Sequence, residues 1–403
     1  MRDLKHLIYF EDLLQEANNS LVREAQSEGR IAIGSVCSQM PEPLINLPGC
    51  FSVRLRAPRT GSMEMGTYYM SSLICECCRA WLERAIEGGL NFLDCIMAAD
   101  TCAQMNRSVE NIEHLNLIEK DNFFVSYSDV PMKCDETALR HYVRQMKAHV
   151  LEPLHEQFGI DVSDAALKEA VEEQNEISRL ITALGEYRKE ELPRITGYEF
   201  AVFCLATFCC PKDKMAGKLK ETLEEVENRT PDEAGKYRAR VLMAGSEVDD
   251  PEIIRIAEEA GALVVADRFC FGSLPGRQEI VLDESDGAED VLTQICRWYM
   301  EKGQCPRFMN TEKITERHEY IDGLMKEYRA EGIIFQQMKF CDYWGYERAH
   351  ASHVMREQYG YPVLSVDRPY NVGNSGQLRT RFQAFVESLE IKKINRERRG
   401  ANE

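Results

Sequence analysis

Short apolar runs recur along this chain of 403 residues, and each ends in a polar loop followed by a helix-forming segment. The first is I-A-I-G-S-V-C, from Ile31 to Cys37, and two more run from Phe92 to Ala98 and from Phe123 to Tyr127. The later part of the chain repeats the pattern from Ala262 to Cys270 and from Ile333 to Cys341. Strands that alternate with helices are typical of α/β units with a mostly parallel sheet.

Between these two sets of runs the apolar spacing becomes helical. Leu167, Val171, Ile177, Leu180 and Leu184 form one apolar stripe, and Glu and Lys occupy the opposite face. A chain of this length exceeds a single compact core, so we expect several domains. The pattern predicts an N-terminal helix over 1–30, a first α/β domain over 31–150, a helical insert over 151–236 and a second α/β domain over 237–403.

Composition narrows the class of partner. The formal net charge of −18 disfavours nonspecific binding to nucleic acid or to an anionic membrane. No apolar run approaches the roughly 20 residues of a membrane-spanning helix. The start, M-R-D-L-K-H, lacks the apolar core of a signal peptide. We therefore expect a cytoplasmic protein that binds neither nucleic acid nor membrane.

Cysteine is the compositional outlier, with 15 residues. Cys37, Cys270 and Cys341 each follow a predicted strand, while Cys75 and Cys102 lie in polar segments of the first domain. The crevice beyond the carboxyl ends of parallel strands is where open α/β sheets bind ligands. Thiolates gathered there from distant loops suit an iron–sulfur cluster, and the alternatives are a zinc site or unrelated buried thiols.

The remaining cysteines fall into two groups. Cys77 and Cys78 follow Cys75 at the start of a predicted helix, so the three cannot all face one point and at least one is expected to pack. Another group of three lies in the apolar stretch F-A-V-F-C-L-A-T-F-C-C, where thiols usually act as small hydrophobic residues. We predict packing roles for Cys204, Cys209 and Cys210.

Six stretches in order resemble one known family: G-S-V-C-S-Q-M-P-E-P-L, C-E-C-C-R-A-W-L-E-R-A-I-E-G, F-L-D-C-I-M-A-A-D-T-C, D-P-E-I-I-R-I-A-E-E-A-G-A-L-V-V-A-D-R-F-C-F-G-S, K-F-C-D-Y-W and G-N-S-G-Q-L-R-T-R-F-Q-A-F. The chain is similar to the subunits of 2-hydroxyacyl-CoA dehydratases and benzoyl-CoA reductases, of the dehydratase D-component type. Each stretch is weak alone, and their order and spacing together are specific.

The resemblance implies two Rossmann-like parallel-sheet domains flanking a [4Fe-4S] cluster. It assigns the cluster ligands to Cys75, Cys102 and Cys341, places Cys37 beside the open iron as the catalytic position, and leaves Cys270 as a further candidate ligand. It implies a homologous second subunit and an ATP-dependent iron–sulfur activator protein. The implied reaction removes water from an (R)-2-hydroxyacyl-CoA through a ketyl radical formed by one-electron reduction.

Several alternatives stay open. Family members often carry proline after the first cluster cysteine, whereas Glu76 follows Cys75 here, so the ligand among Cys75, Cys77 and Cys78 is undecided. The related functions are a benzoyl-CoA reductase-type subunit, a double-cubane reductase of small molecules that uses Cys37 and Cys270, and a non-catalytic electron-relay subunit. A zinc-stabilised α/β binding protein is the remaining alternative.

Overall fold

We describe the protein from a computed structural model. The described residues are 1–58, 60–233, 235–273, 278–373 and 375–400, with side chains described through residue 395. Asn374, within the Gly-rich stretch quoted above, lies outside the described residues.

The chain forms helices and strands in alternation over much of its length. The α-helices of the described residues are α1 Leu7–Leu13, α2 Ser20–Ser27, α3 Glu64–Met70, α4 Glu76–Ile86, α5 Ala103–His114, α6 Glu136–Met146, α7 Glu152–Phe158, α8 Asp164–Glu186, α9 Gly197–Cys209, α10 Lys212–Asn228, α11 Glu252–Glu259, α12 Val291–Lys302, α13 Thr311–Glu327, α14 Asp342–Glu357 and α15 Gly376–Gly400. The strands are β1 Ile31–Ser35, β2 Cys50–Arg54, β3 Cys95–Asp100, β4 Phe124–Asp129, β5 Ala239–Gly245, β6 Ala262–Phe269, β7 Gly332–Met338 and β8 Val363–Arg368.

The strands build two four-stranded sheets with the same topology. The first has the order β2-β1-β3-β4 and the second β6-β5-β7-β8, and every pair of neighbours is parallel. In each sheet the order reverses beside its first strand, between β1 and β3 and between β5 and β7. The predicted class, two Rossmann-like parallel-sheet domains, is therefore confirmed.

Buried parallel strands explain the apolar runs of the sequence. All residues of β2 and β6 are buried, as is typical of strands covered by helices on both faces. Close packing between β5 and β7 requires glycine at the last position of β5. Gly245 has a φ of +144°, and a Cβ atom there would lie 1.8 Å from the carbonyl oxygen of Gln336, so only glycine fits.

The N-terminal helix and the helices that follow the first sheet in the chain share a separate apolar core. Buried side chains from α1, α8, α9 and α10 form one continuous apolar cluster. Residues 1–30, predicted as one helix, instead form α1 and α2. The second helix starts separately because the side chain of Asn19 accepts hydrogen bonds from the N–H groups of Leu21 and Val22.

Helix α12 lies in the part of the chain predicted as the second α/β domain, yet it packs against the first sheet. Its residues Val291, Ile295, Tyr299 and Met300 belong to the apolar cluster of the first sheet, although α12 lies within 237–403. Sequence position alone therefore does not assign this helix to the second sheet. Among the described residues, no helix combines the length and apolar character needed to cross a membrane.

The start of α9 is held by a half-buried carboxylate from another helix. Glu258 of α11 accepts hydrogen bonds from the N–H groups of Gly197 and Tyr198, 2.7 and 3.2 Å away, which are free donors at a helix start. Burial raises the pKa of Glu258 to about 7, and these N–H groups act in the opposite direction.

We expect Glu258 to make stability depend on pH. Its pKa of about 7 in the folded chain lies above the ordinary value of 4.5, so between these values the folded chain holds a proton that the unfolded chain has lost. Stability should therefore fall as pH rises through this window. Glu258→Gln should remove the effect, which is on the order of 2 kcal/mol.

The measurement is urea unfolding of the full chain at pH 5, 6, 7 and 8, comparing the wild type with Glu258→Gln. The wild-type midpoint should drop relative to the variant as pH rises. Glu259→Gln, on the exposed side of α11, controls for loss of one carboxylate. Parallel curves for wild type and Glu258→Gln would contradict the prediction.

Candidate functional site

The carboxyl ends of the two sheets meet at one cavity of about 70 Å³. Eight cysteines line it: Cys37, Cys75, Cys77, Cys78, Cys102, Cys270, Cys305 and Cys341. Cys37 and Cys102 follow β1 and β3, the two strands at the point of reversal in the first sheet. Cys341 follows β7, at the corresponding point of the second sheet. The structure thus brings together all five cysteines that sequence analysis singled out as ligand or catalytic candidates.

Three of the eight occupy equivalent places at the starts of helices. Cys75 is the residue before α4, Cys102 the residue before α5, and Cys341 the residue before α14. The free N–H groups of a helix start, together with the helix dipole, favour negative charge. Three helix starts therefore converge on a cavity lined by thiols, which is an environment suited to an anionic group.

Cys75 differs electrostatically from its two neighbours. A hydrogen bond from the Cys78 thiol and the N–H groups of Cys77 and Cys78 hold the pKa of the Cys75 thiol below its ordinary value, although burial opposes them. Burial raises the pKa of Cys77 well above the ordinary value. The pKa of Cys78 is raised first by the hydrogen bond its thiol donates to Cys75 and then by burial. Of the three, Cys75 is the thiol most readily ionised.

The other two thiols at helix starts have raised pKa values. Burial raises the pKa of Cys102 to about 11, and the N–H groups of Met105 and Gln104 act against it. Burial likewise raises the pKa of Cys341 well above its ordinary value, against the N–H group of Trp344. A thiol in such a place ionises when a cation binds to it, because the bound cation replaces the lost solvation.

A second, smaller group of cysteines separates this cavity from a neighbouring one. Cys37, Cys270 and Cys305 line both the cysteine cavity and an adjoining cavity of about 50 Å³. The adjoining cavity has aromatic walls formed by Phe208, Trp298, Tyr299 and Trp344. Its polar lining includes Gln39, Glu42 and Lys302.

Sequence reasoning missed Cys305. This residue lies in the loop between α12 and α13, without a strand before it, so the rule of a cysteine after a strand does not find it. The one local signal is the dipeptide Cys305-Pro306, placed just after Gly303 in a loop between two helical patterns. The helical core contains Cys204, Cys209 and Cys210, which confirms the packing roles predicted for them.

Hydrogen bonds tie the two sheets together around the cavity. The Ser38 hydroxyl donates to the Cys270 carbonyl at 2.8 Å. The Tyr370 N–H donates to Oε2 of Glu76 at 2.7 Å, which joins the start of α4 to the loop after β8. Glu76, the departure from the family pattern, thus has a structural partner in the second half of the chain.

Arg54 and Glu247 form a buried ion pair beside the cysteine cavity. Glu247, two residues after the end of β5, lines the cavity, and its Oε1 lies 3.9 Å from Nη2 of Arg54 at the end of β2. Burial raises the pKa of Glu247 to about 7, while Arg54 acts to lower it. Among the described residues, Nε and Nη2 of Arg54 have no hydrogen-bond partner. Arg54 thus brings a desolvated positive charge close to the thiols.

Within the described part of the chain, no group of three or more His, Cys, Asp or Glu side chains converges closely enough to hold one metal ion. The ligands of an iron–sulfur cluster do not converge on one ion, because each thiolate binds a different iron of the cluster. The eight thiols around one cavity fit that requirement in donor chemistry, with more sulfur donors than one cubane uses.

Comparison with known proteins shows the family to which the chain belongs. The family model described as 2-hydroxyglutaryl-CoA dehydratase, D-component, matches residues 37–389. The (R)-phenyllactyl-CoA dehydratase beta subunit of Clostridium sporogenes is 24% identical over 94% of this chain and 97% of its own length. The (R)-2-hydroxyglutaryl-CoA dehydratase beta subunit of Acidaminococcus fermentans is 22% identical over 92% and 95%, respectively.

A reductase component is similar over almost the same length. One of the benzoyl-CoA reductase subunits of Thauera aromatica is 20% identical over 87% of this chain and 89% of its own length. The region matched by the family model contains every strand after β1 and all eight cysteines of the cavity. The chain therefore belongs to the 2-hydroxyglutaryl-CoA dehydratase D-component family.

Proposed function

We propose that this chain is the iron–sulfur subunit of a 2-hydroxyacyl-CoA dehydratase-type enzyme, which removes water from an (R)-2-hydroxyacyl-CoA. The observation that carries the proposal is the cavity lined by eight cysteines at the meeting point of the two sheets. Membership of the dehydratase family supports the reaction class. The names of the relatives, which are subunits, support a homologous partner subunit, and the activator protein and the cytoplasmic location are part of the same proposal.

Cys75, Cys102 and Cys341 would hold a [4Fe-4S] cluster. These three thiols come from both sheets and lie at three helix starts, where N–H groups and helix dipoles stabilise negative charge. Three protein ligands leave one iron of a cubane open, and Cys37 is the proposed residue beside it. When bound, such a cluster supplies one electron of low potential to the thioester carbonyl of the substrate.

The residues around the cluster ligands would exclude water and orient the acyl group. Met338 and Trp344 are almost completely buried and form part of the cavity wall. The adjoining cavity begins at Cys37 and presents aromatic side chains, which suit the apolar part of an acyl chain. We propose that the acyl group enters through this adjoining cavity, with its thioester toward Cys37.

A second candidate is a double-cubane reductase of small molecules. The observation that favours it is the second group of three cysteines, Cys37, Cys270 and Cys305, on the wall shared by the two cavities. With Cys75, Cys102 and Cys341 these make two sets of three thiols, enough for two joined cubanes with three protein ligands each. The two candidates differ in the number of irons per chain.

Iron content should decide between these candidates. Anaerobically purified full-length protein should contain about four irons and four acid-labile sulfides per chain, because one cubane holds that number. About eight irons would instead support the double cubane, and zinc without iron would overturn both. The measurement is metal and sulfide analysis on the same anaerobic preparation.

Addition of acyl-CoA thioesters to the same protein should test the catalytic role. We expect the visible spectrum to shift, because a thioester that enters beside Cys37 would change the surroundings of the bound cluster. An unchanged spectrum with full iron content would contradict catalysis at this cluster. That result would support an electron-relay subunit.

The products formed from the added thioesters distinguish the two branches of the family. A product with a reduced aromatic ring would identify the benzoyl-CoA reductase branch.

Serine substitutions should separate ligands from packing residues. Cys75→Ser, Cys102→Ser and Cys341→Ser should each lose most of the iron, because a hydroxyl is a poor ligand for cluster iron. Cys77→Ser should keep it, since Cys75 is the more readily ionised thiol. Cys204→Ser, in the helical core, is the matched control for loss of a buried thiol. Full iron content in Cys75→Ser and loss in Cys77→Ser would reverse this ligand assignment.

A further inference from the structure

Gln104 lies at the centre of the three loops that carry Cys75, Cys102 and Cys341. It is the second residue of α5, two positions after Cys102, and its side chain lines the cysteine cavity. Only 8% of its surface is exposed. A buried amide of this kind is costly unless its polar atoms are hydrogen-bonded.

Both ends of the Gln104 amide are hydrogen-bonded, and the partners come from both sheets. Its Oε1 accepts a hydrogen bond from the Cys75 N–H at 2.6 Å. Its Nε2 donates to the Phe340 carbonyl at 3.0 Å and to Oδ2 of Asp342 at 2.8 Å. These two residues flank Cys341, so one side chain joins the backbone beside all three predicted ligands.

The partners determine which side chain can serve here. An N–H group only donates and a carbonyl only accepts, so the position requires an acceptor and a donor on the same side chain. Glutamate would keep the bond from Cys75, lose the donor to Phe340 and face Asp342 with a second negative charge. Methionine has nearly the same length and would lose all three bonds.

Backbone strain at Phe340 is consistent with this constraint. Phe340 has a φ of +65°, a left-handed conformation that is unfavourable for an aromatic residue. The carbonyl that accepts from Gln104 belongs to this same residue. The hydrogen bond therefore helps to hold a strained turn directly before Cys341.

We propose that Gln104 is a positioning residue that sets the placement of the Cys75, Cys102 and Cys341 loops relative to one another across the two sheets. The part of this inference that concerns a cluster rests on the proposed function. The part that concerns loop placement does not, because the hydrogen bonds join the protein to itself.

The first test is hydrogen–deuterium exchange on full-length protein without iron. In Gln104→Met, amide exchange should become about tenfold faster in peptides that contain Cys75 and in peptides that contain Phe340 to Asp342. Gln174→Met is the matched control, because Gln174 is a buried glutamine of α8 outside the cavity lining. Unchanged exchange at both loops in Gln104→Met would overturn the placement, whether or not the protein binds iron.

The second test measures the cluster itself in reconstituted protein. Gln104→Met should release iron to a chelator about 10- to 100-fold faster than wild type, because loss of a residue that orients metal ligands typically lowers metal affinity by about that factor. The midpoint potential and the electron paramagnetic resonance spectrum should also change, which a purely structural role would not cause. Release and potential equal to those of wild type and Gln174→Met would overturn the inference.

A pair of substitutions tests whether the hydrogen bond between Gln104 and Asp342 itself matters, apart from general damage to the fold. Gln104→Glu places a carboxylate against Asp342 and should speed iron release. The double variant Gln104→Glu with Asp342→Asn restores a donor and an acceptor between positions 104 and 342 and returns the net charge to that of wild type, while the donor to the Phe340 carbonyl stays lost. We expect the double variant to retain more iron than Gln104→Glu alone, and equally poor retention would contradict the role of the contact with Asp342.

If wild-type protein binds no iron, the proposed function fails while the exchange measurement still decides the placement of the loops. If wild type binds iron and both Gln104 tests show no effect, the inference fails while the proposed function stands.

Discussion

The structure depends on the meeting of two parallel sheets at their carboxyl ends. Each sheet reverses its strand order beside its first strand, and the loops after β1, β3, β5 and β7 therefore open into the same space. Parallel strands point all their carboxyl ends one way, so every loop that follows a strand reaches the same edge. Cysteines that are hundreds of residues apart in the chain thus come to line one cavity.

Helix starts give this cavity its electrostatic character. Cys75, Cys102 and Cys341 precede α4, α5 and α14, so each thiol lies where N–H groups and the helix dipole favour a negative charge. Burial acts in the opposite direction and raises the pKa of Cys102 and Cys341. The balance favours thiolates that are bound to a cation over free thiolates, since a bound cation compensates for lost water.

The two halves are joined by polar contacts as well as by apolar packing. The apolar cluster of the first sheet takes in α12 and Met338 at the end of β7. The helical insert and the rest of the second sheet form further clusters. Contacts such as Tyr370 with Glu76 and Gln104 with Asp342 cross between the sheets beside the cysteines. Hydrogen bonds fix direction as well as distance, so they suit a site whose donors come from two domains.

The sequence by itself determined the α/β class, because buried parallel strands and amphipathic helices leave distinct apolar periods. It also singled out Cys37, Cys75, Cys102, Cys270 and Cys341, since a cysteine after a strand or in a family stretch is visible locally. Only the tertiary structure added Cys305, brought in by a loop between two helices, and placed α12 against the first sheet. It also distinguished Cys75 from Cys77 and Cys78 and gave Gln104 its three partners. The hydrogen bonds of Cys75 are local to the start of α4. The other features depend on contacts between residues far apart in the chain, and local periodicity carries no information about such contacts.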